Sequence, residues 1–91
     1  MSTRTFEEAA ALAQQHGFEL TNPGDGCYHL RHRQLRWIYN LYPRRHGASP
    51  RIYSDKVHRG PYLNNLPQPW TLLDVTRAVI KASYREVTKH G

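Results

Sequence analysis

Cys27-Tyr28-His29-Leu30-Arg31-His32, then Arg33-Gln34, then Leu35-Arg36-Trp37-Ile38-Tyr39-Asn40-Leu41-Tyr42 is the stretch whose reading decides the fold. Leu35, Trp37, Tyr39 and Leu41 recur at every second position, which puts all four on one face of a strand; on a helix they would be scattered. Two such runs joined by a short polar link predict a β-hairpin over 27–32 and 35–42. A turn centred on Arg33-Gln34 pairs Leu30 with Trp37 and Tyr28 with Tyr39 on the apolar face. On the other face it pairs Arg31 with Arg36, His29 with Ile38 and Cys27 with Asn40. Arg-Gln is a poor two-residue turn, and a four-residue loop about the same centre keeps these pairs.

Helix signals lie at both ends of the chain. Thr5-Phe6-Glu7-Glu8 has the form of a capping box, and two acids suit the positive end of a helix dipole. Phe6, Ala9, Ala10 and Ala13 follow at helical spacing, and Gly17 is placed to end the helix, giving a prediction of about 5–16. Phe18-Glu19-Leu20-Thr21 alternates as a short strand, and Asn22-Pro23-Gly24-Asp25-Gly26 is a turn. Pro43 to Pro50 reads as a basic loop, 51–54 as a further strand, and His58 to Pro69 as an irregular connection. Thr71 and Asp74 form a second capping box, with Trp70 and Val75 as a hydrophobic staple. Leu72, Val75, Val79 and Ala82 make the buried stripe of a helix over about 72–87, with Ala78 alongside. The expected fold is α+β: an antiparallel meander of three or four strands packed against N- and C-terminal helices, in one domain of residues 1–91.

Composition narrows the function classes. At 38% hydrophobic and 22% charged, the chain is too apolar for a disordered tail and too polar for a membrane protein. Its apolar runs are too short to span a bilayer, and the N-terminus carries no signal-peptide core. A single cysteine, Cys27, makes no internal disulfide and no cysteine-based zinc site. A cytoplasmic setting, bacterial or phage-like, fits these features. The net charge of +6 is not evenly spread. Between Gly26 and Pro61, Arg31, Arg33, Arg36, Arg44, Arg45, Arg51, Lys56 and Arg59 face only Asp55, a local balance of +7 that leaves −1 for the flanks. Ten of the thirteen cations are Arg, the side chain that grips phosphate or carboxylate with two parallel bonds and stacks on flat rings.

The anion-binding candidates are therefore Arg31, Arg33, Arg36, Arg44, Arg45, Arg51 and Arg59, with Tyr42 and Tyr53 as stacking surfaces. Two Arg directly opposed on a sheet, Arg31 and Arg36, repel unless solvated or bridged by an anion. Aromatics interleaved with Arg suit single-stranded or looped RNA. His29 and His32, three apart on a strand, point to opposite faces and make a weak ligand pair. Cys27 and His29 share a face, but two ligands do not complete a metal site. No metal or cofactor is implied. His29, beside Arg31 and Arg36, has the chemistry of a ribonuclease general acid or base; a surface strand His with no role is the plainer reading. Trp37 and Trp70 read as core anchors.

The order helix, meander, helix resembles the double-stranded-RNA-binding domain and the HicA-type toxins, small ribonucleases of the same fold. His16-Gly17-Phe18-Glu19-Leu20 is similar to the end of the HicA first helix and its first strand. Gly26-Cys27-Tyr28-His29 sits where those toxins carry Gly-Ser-His, and Trp70-Thr71-Leu72-Leu73 resembles the entry to their last helix. The resemblance covers roughly 5–42 and 70–82. It implies the fold, and it implies a catalytic His, which falls on Tyr28 unless the register slips by one to His29. The lysine-rich start of the last helix in the RNA-binding domains is replaced here by Leu72-Leu73-Asp74-Val75.

Three functions remain. The first is a non-enzymatic nucleic-acid-binding domain, for RNA ahead of DNA, working through the Arg-rich sheet face and loops. The second is a small inhibitor or adaptor, of the phage anti-defence (anti-CRISPR-like) kind, set against an acidic protein surface. The third is a HicA-like ribonuclease. None involves a membrane. An exposed strand at the meander edge leaves both monomer and homodimer open.

Overall fold

The computed structural model describes residues 3–24, 26–43 and 50–90, with side chains within 5–86. The order is α1 (Thr3–Gln15), β1 (Phe18–Gly24), β2 (Cys27–His32), β3 (Trp37–Tyr42), β4 (Arg51–Ser54) and α2 (Leu72–His90). The strands form one antiparallel sheet in the order β1-β2-β3-β4. The α+β meander between two helices is thus present, with 51–54 as its fourth strand.

The alternation in the hairpin does what its period requires. Trp37, Tyr39 and Leu41 are buried together with Phe18, Leu20 and Leu30, while Ile38, Asn40 and Tyr42 between them are only half-buried. Against this face lie Ala9 and Ala13 of α1 and Leu72, Val75, Val79 and Ile80 of α2. Trp37 and Trp70 are both core residues. The fully buried Ala9 and Ala13 give α1 a low surface on which α2 can settle. Outside this core, His16 Nδ1 and the Tyr84 hydroxyl are 2.5 Å apart, with the two rings edge to face.

The hairpin register differs from the expected one by two residues. The link is a four-residue turn, 33–36, closed by the Leu35 N–H donating to His32 Nδ1 (3.0 Å). Arg36 takes the left-handed conformation at φ 58°. Leu30 therefore faces Tyr39, Tyr28 faces Leu41, and His32 faces Trp37; on the other side Arg31 faces Ile38 and His29 faces Asn40. The opposed pair Arg31 and Arg36 does not exist, because Arg36 belongs to the turn. Its place is taken by a cross-strand pair on the other flank: Arg31 lies opposite Glu19 of β1 and donates to its carboxylate.

Both helix starts were marked by capping boxes, and only the second is at a terminus. α1 begins at Thr3, so Thr5 lies within its first turn rather than before it. At α2, Asp74 N–H donates to Thr71 Oγ1 (3.2 Å) and Thr71 N–H donates to Asp74 Oδ2 (2.9 Å). Such a cap contributes about 1 kcal/mol. Each buried aliphatic side chain contributes about 1.5–3 kcal/mol, so the stripe of Leu72, Val75 and Val79, extended by Ile80, dominates the docking of α2. Thr76 and Ser83 share the buried side without an energetic penalty: their hydroxyls donate to the carbonyls of Leu72 (2.7 Å) and Ile80 (2.6 Å). Gly17, at φ +82°, ends α1 as expected, and β1 continues past Thr21 to Gly24 through a break in register. Asp25 and the basic loop 44–49 lie outside the described residues.

The connection from β4 to α2 is pinned at one point. Tyr39, 1% exposed, donates its hydroxyl to the Pro61 carbonyl (2.6 Å), and Gly60 N–H donates to Ser54 Oγ (3.1 Å). Gly60 lies flat on the Tyr39 ring: a Cβ there would sit 2.6 Å from Cζ and 2.7 Å from Cε2. A buried ring has nowhere to go, so Gly60→Ala is expected to cost about 1–3 kcal/mol by overpacking. Gly24→Ala, whose Cβ would meet nothing within 4 Å, is the control and is expected to be near neutral. Urea unfolding midpoints of the two variants check this.

His32 gives the fold a pH dependence. Burial lowers its pKa, and Nδ1 accepts the Leu35 N–H, so the neutral ring carries its proton on Nε2. Its ring packs edge-on against Phe18. The unfolded His takes up a proton first, near its ordinary value of about 6.5. Its stabilising contribution is therefore complete above that value and is lost as pH falls toward the lower folded value. Wild type is expected to be more stable than His32→Asn at pH 8, with the gap narrowing by pH 5.5. Thermal melts at both values test the sign. A gap that widens on acidification contradicts it.

Candidate nucleic-acid interface

Because the inner side chains of the strands are spent on the core, the alternate ones form a second surface. Cross-strand register aligns Thr21, His29, Asn40 and Tyr53 in one row across all four strands. A neighbouring row runs Glu19, Arg31, Ile38, and on the other side Tyr42 faces Arg51. Side chains so aligned sit about 4.5–5.5 Å apart at Cβ and act as one continuous surface. Every described residue of this face is half-buried or exposed.

One corner of this face is cationic. Arg31, Arg33 and Arg36 surround a shallow cleft of about 270 Å3 with Trp37, Ile38 and His58. Arg33 and Arg36 are exposed at the turn. The Arg31 guanidinium, by its hydrogen bond and then its charge, holds the Glu19 carboxyl below the usual carboxylate range, and Arg33 adds a smaller pull. Three guanidiniums against one carboxylate leave the corner positive. His58 was not among the residues picked from sequence. It arrives because Ile38 N–H donates to the His58 carbonyl (3.0 Å) and Asp55 N–H donates to the Ile38 carbonyl (3.0 Å), extending the β3 ladder past the end of β4. Asp55 Oδ1 accepts the N–H groups of Val57 (2.8 Å) and His58 (2.9 Å), which folds this turn and lowers the Asp55 pKa. The lone central acid is thus a turn-former.

The opposite corner is aromatic. Tyr42 and Tyr53 pack edge to face with ring centres 5.7 Å apart, and Arg51 Nη1 donates to the Tyr53 hydroxyl at 3.5 Å. The nine residues singled out from sequence therefore divide. Arg31, Arg33 and Arg36 meet at one corner, and Tyr42, Arg51 and Tyr53 at the other. Arg59 lies elsewhere, on a larger cleft beside β4. Arg44 and Arg45 are outside the described residues.

The acid–base and metal candidates separate too. His29 sits between Thr21 and Asn40 on the open face, two residues from Arg31, whereas His32 packs on the core side against Phe18 and also lines the edge of the Arg31, Arg33 and Arg36 cleft. Cys27 is a half-buried free thiol. Among the described residues no group of three His, Cys, Asp or Glu side chains is placed to hold a metal ion, and no helix is long and apolar enough to cross a membrane. Comparison with protein-family models, with curated proteins and with solved structures finds no match to this chain.

Proposed function

We propose that the chain is a nucleic-acid-binding domain without catalytic activity, and that it takes single-stranded or looped RNA along the open face of the sheet. One observation carries this reading: a cluster of three Arg at the hairpin end and a corner of two Tyr with a fourth Arg border the same outer sheet face, which the described residues leave half-buried or exposed, with Asn40 and His29 between them. Guanidiniums hold phosphates, and rings accept the faces of unstacked bases. The first turn of α2, Leu72-Leu73-Asp74, is apolar and acidic, which disfavours groove entry by this helix into a duplex. The local balance of +7 supplies the sequence-independent attraction. The lone Cys27 suits a reducing, cytoplasmic setting.

The test is fluorescence anisotropy with a labelled RNA of about ten nucleotides, a length chosen within the range of small single-strand sites. Arg33→Gln combined with Arg36→Gly removes two cations, and glycine keeps the left-handed turn position. Binding is expected to weaken, and the slope of log affinity against log salt to become shallower by about 1.4, the value for two phosphate contacts on a single strand. Unchanged affinity and slope would sink the reading. Recovery of one acidic protein in fixed ratio after nuclease treatment, with no RNA affinity, would replace it by the inhibitor reading. Cleavage of the RNA that disappears in His29→Ala would replace it by the ribonuclease reading.

A further inference from the structure

The segment between β4 and α2 does more than connect them. It is held to the core at Gly60 and Pro61 and returns to it at Trp70, which is 4% exposed. Between these anchors it lines, together with β4, an open cleft of about 700 Å3, within the size range of small-molecule sites. The floor is apolar, with Ile52, Leu66 and Trp70. The rim carries Tyr62, Asn64, Asn65 and Arg59. Tyr62 is 88% exposed, although a Tyr in a purely structural connector lowers the free energy by folding its ring onto the apolar floor. Asn65 sits at φ 62°, a conformation that Asn tolerates better than most residues. Among the described residues, no acidic side chain lines the cleft. Tyr53, 49% exposed, belongs to both surfaces: it ends the row Thr21, His29, Asn40 on the open face and forms one wall of the cleft.

We propose that this cleft is a nucleobase pocket: it takes one unstacked base of the bound strand, stacked on Tyr62 or Tyr53, with its edge hydrogen-bonded by the Asn64 and Asn65 amides and its phosphate held by Arg59. A side-chain amide carries both a donor and an acceptor, the pairing that a base edge demands. The exposed rings give stacking area that any base can use. A strand lying across the open face reaches the cleft by passing Tyr53, so the two surfaces form one path. This inference rests on the function proposed above and adds to it a preference for single strands, since a base inside a duplex cannot enter.

The test uses the full chain with two probes, the ten-nucleotide RNA and a free nucleoside monophosphate. Tyr62→Ala, at an exposed position, is expected to weaken single-strand binding about tenfold while leaving the salt slope unchanged, because stacking releases no counterions. Asn65→Gly, which keeps the backbone conformation, is expected to reduce discrimination among the four homopolymeric RNAs. In a two-dimensional NMR titration the free nucleotide is expected to shift the side-chain amide signals of Asn64 and Asn65. If Tyr62→Ala binds RNA as wild type does and the nucleotide moves neither amide, the pocket is overturned while the proposed function stands. If the chain binds no RNA yet the nucleotide shifts both amides, the pocket stands and the function reading fails. No response to either probe overturns both.

Discussion

The contact between Tyr39 and the Gly60-Pro61 backbone organises everything on the β4 side of the molecule. Tyr39 is a core residue by position, in the middle of β3 and facing the helices, yet its hydroxyl donates to a carbonyl of the final connection. Burial raises its pKa well above the ordinary phenol value, so the hydroxyl keeps its proton as a donor under all working conditions. A buried donor left unpaired costs about 1–3 kcal/mol, which ties the path of the connection to the integrity of the core. Gly60 allows the approach because nothing larger fits above the ring. With that point fixed, β4 is flanked on one side by β3 and on the other by the cleft, and Tyr53 acquires two surroundings at once.

How much of this was legible in the chain follows from which signals are local. The capping box at Thr71 and Asp74 was legible because its partners are three residues apart. The inner and outer faces of the hairpin were legible because side-chain direction has period 2. The register was not, and for the same reason: a shift by two residues leaves every side chain on its own face, so alternation is silent about it. Only the turn decides. A basic residue in the left-handed position, Arg36, carries no turn signal of the kind that Gly or Asn would.

The site shows the same division. Arg31 and Tyr53 could be assigned to the outer face by counting along their strands. That Arg31 would meet Glu19 depends on a pairing between β1 and β2 whose register includes an irregularity near Gly24, and no local pattern encodes it. The like-charge conflict expected between Arg31 and Arg36 was thus an artefact of the wrong pairing; the sheet resolves it with an ordinary cross-strand ion pair. His58, Tyr62 and Asn64 fall in a stretch with no period at all. Their placement comes from backbone bonds to Ile38 and from the Gly60 contact, both long-range.

The two corners of the open face also differ in what they can contribute, and the geometry sorts them. With strands about 4.8 Å apart, the four-stranded sheet is roughly 14 Å wide, and six residues of β3 run roughly 20 Å. Tyr53 pairs with Asn40, partway along β3 from the turn and one strand over, so a ligand that touches both the turn 33–36 and Tyr53 spans roughly 14 Å and runs along β3. A compact anion could occupy the cationic corner but would leave the aromatic one idle; a flat apolar molecule would do the reverse. A polymer with charges along its backbone and rings at intervals uses both, and Asn40 on β3, with His29 beside it on β2, offers hydrogen bonds between them. Exposed Arg side chains give such a ligand its approach and its orientation, since their attraction is long-range and indifferent to sequence. On the proposed reading, selection falls to the short-range end of the path, where rings and amides line a cleft.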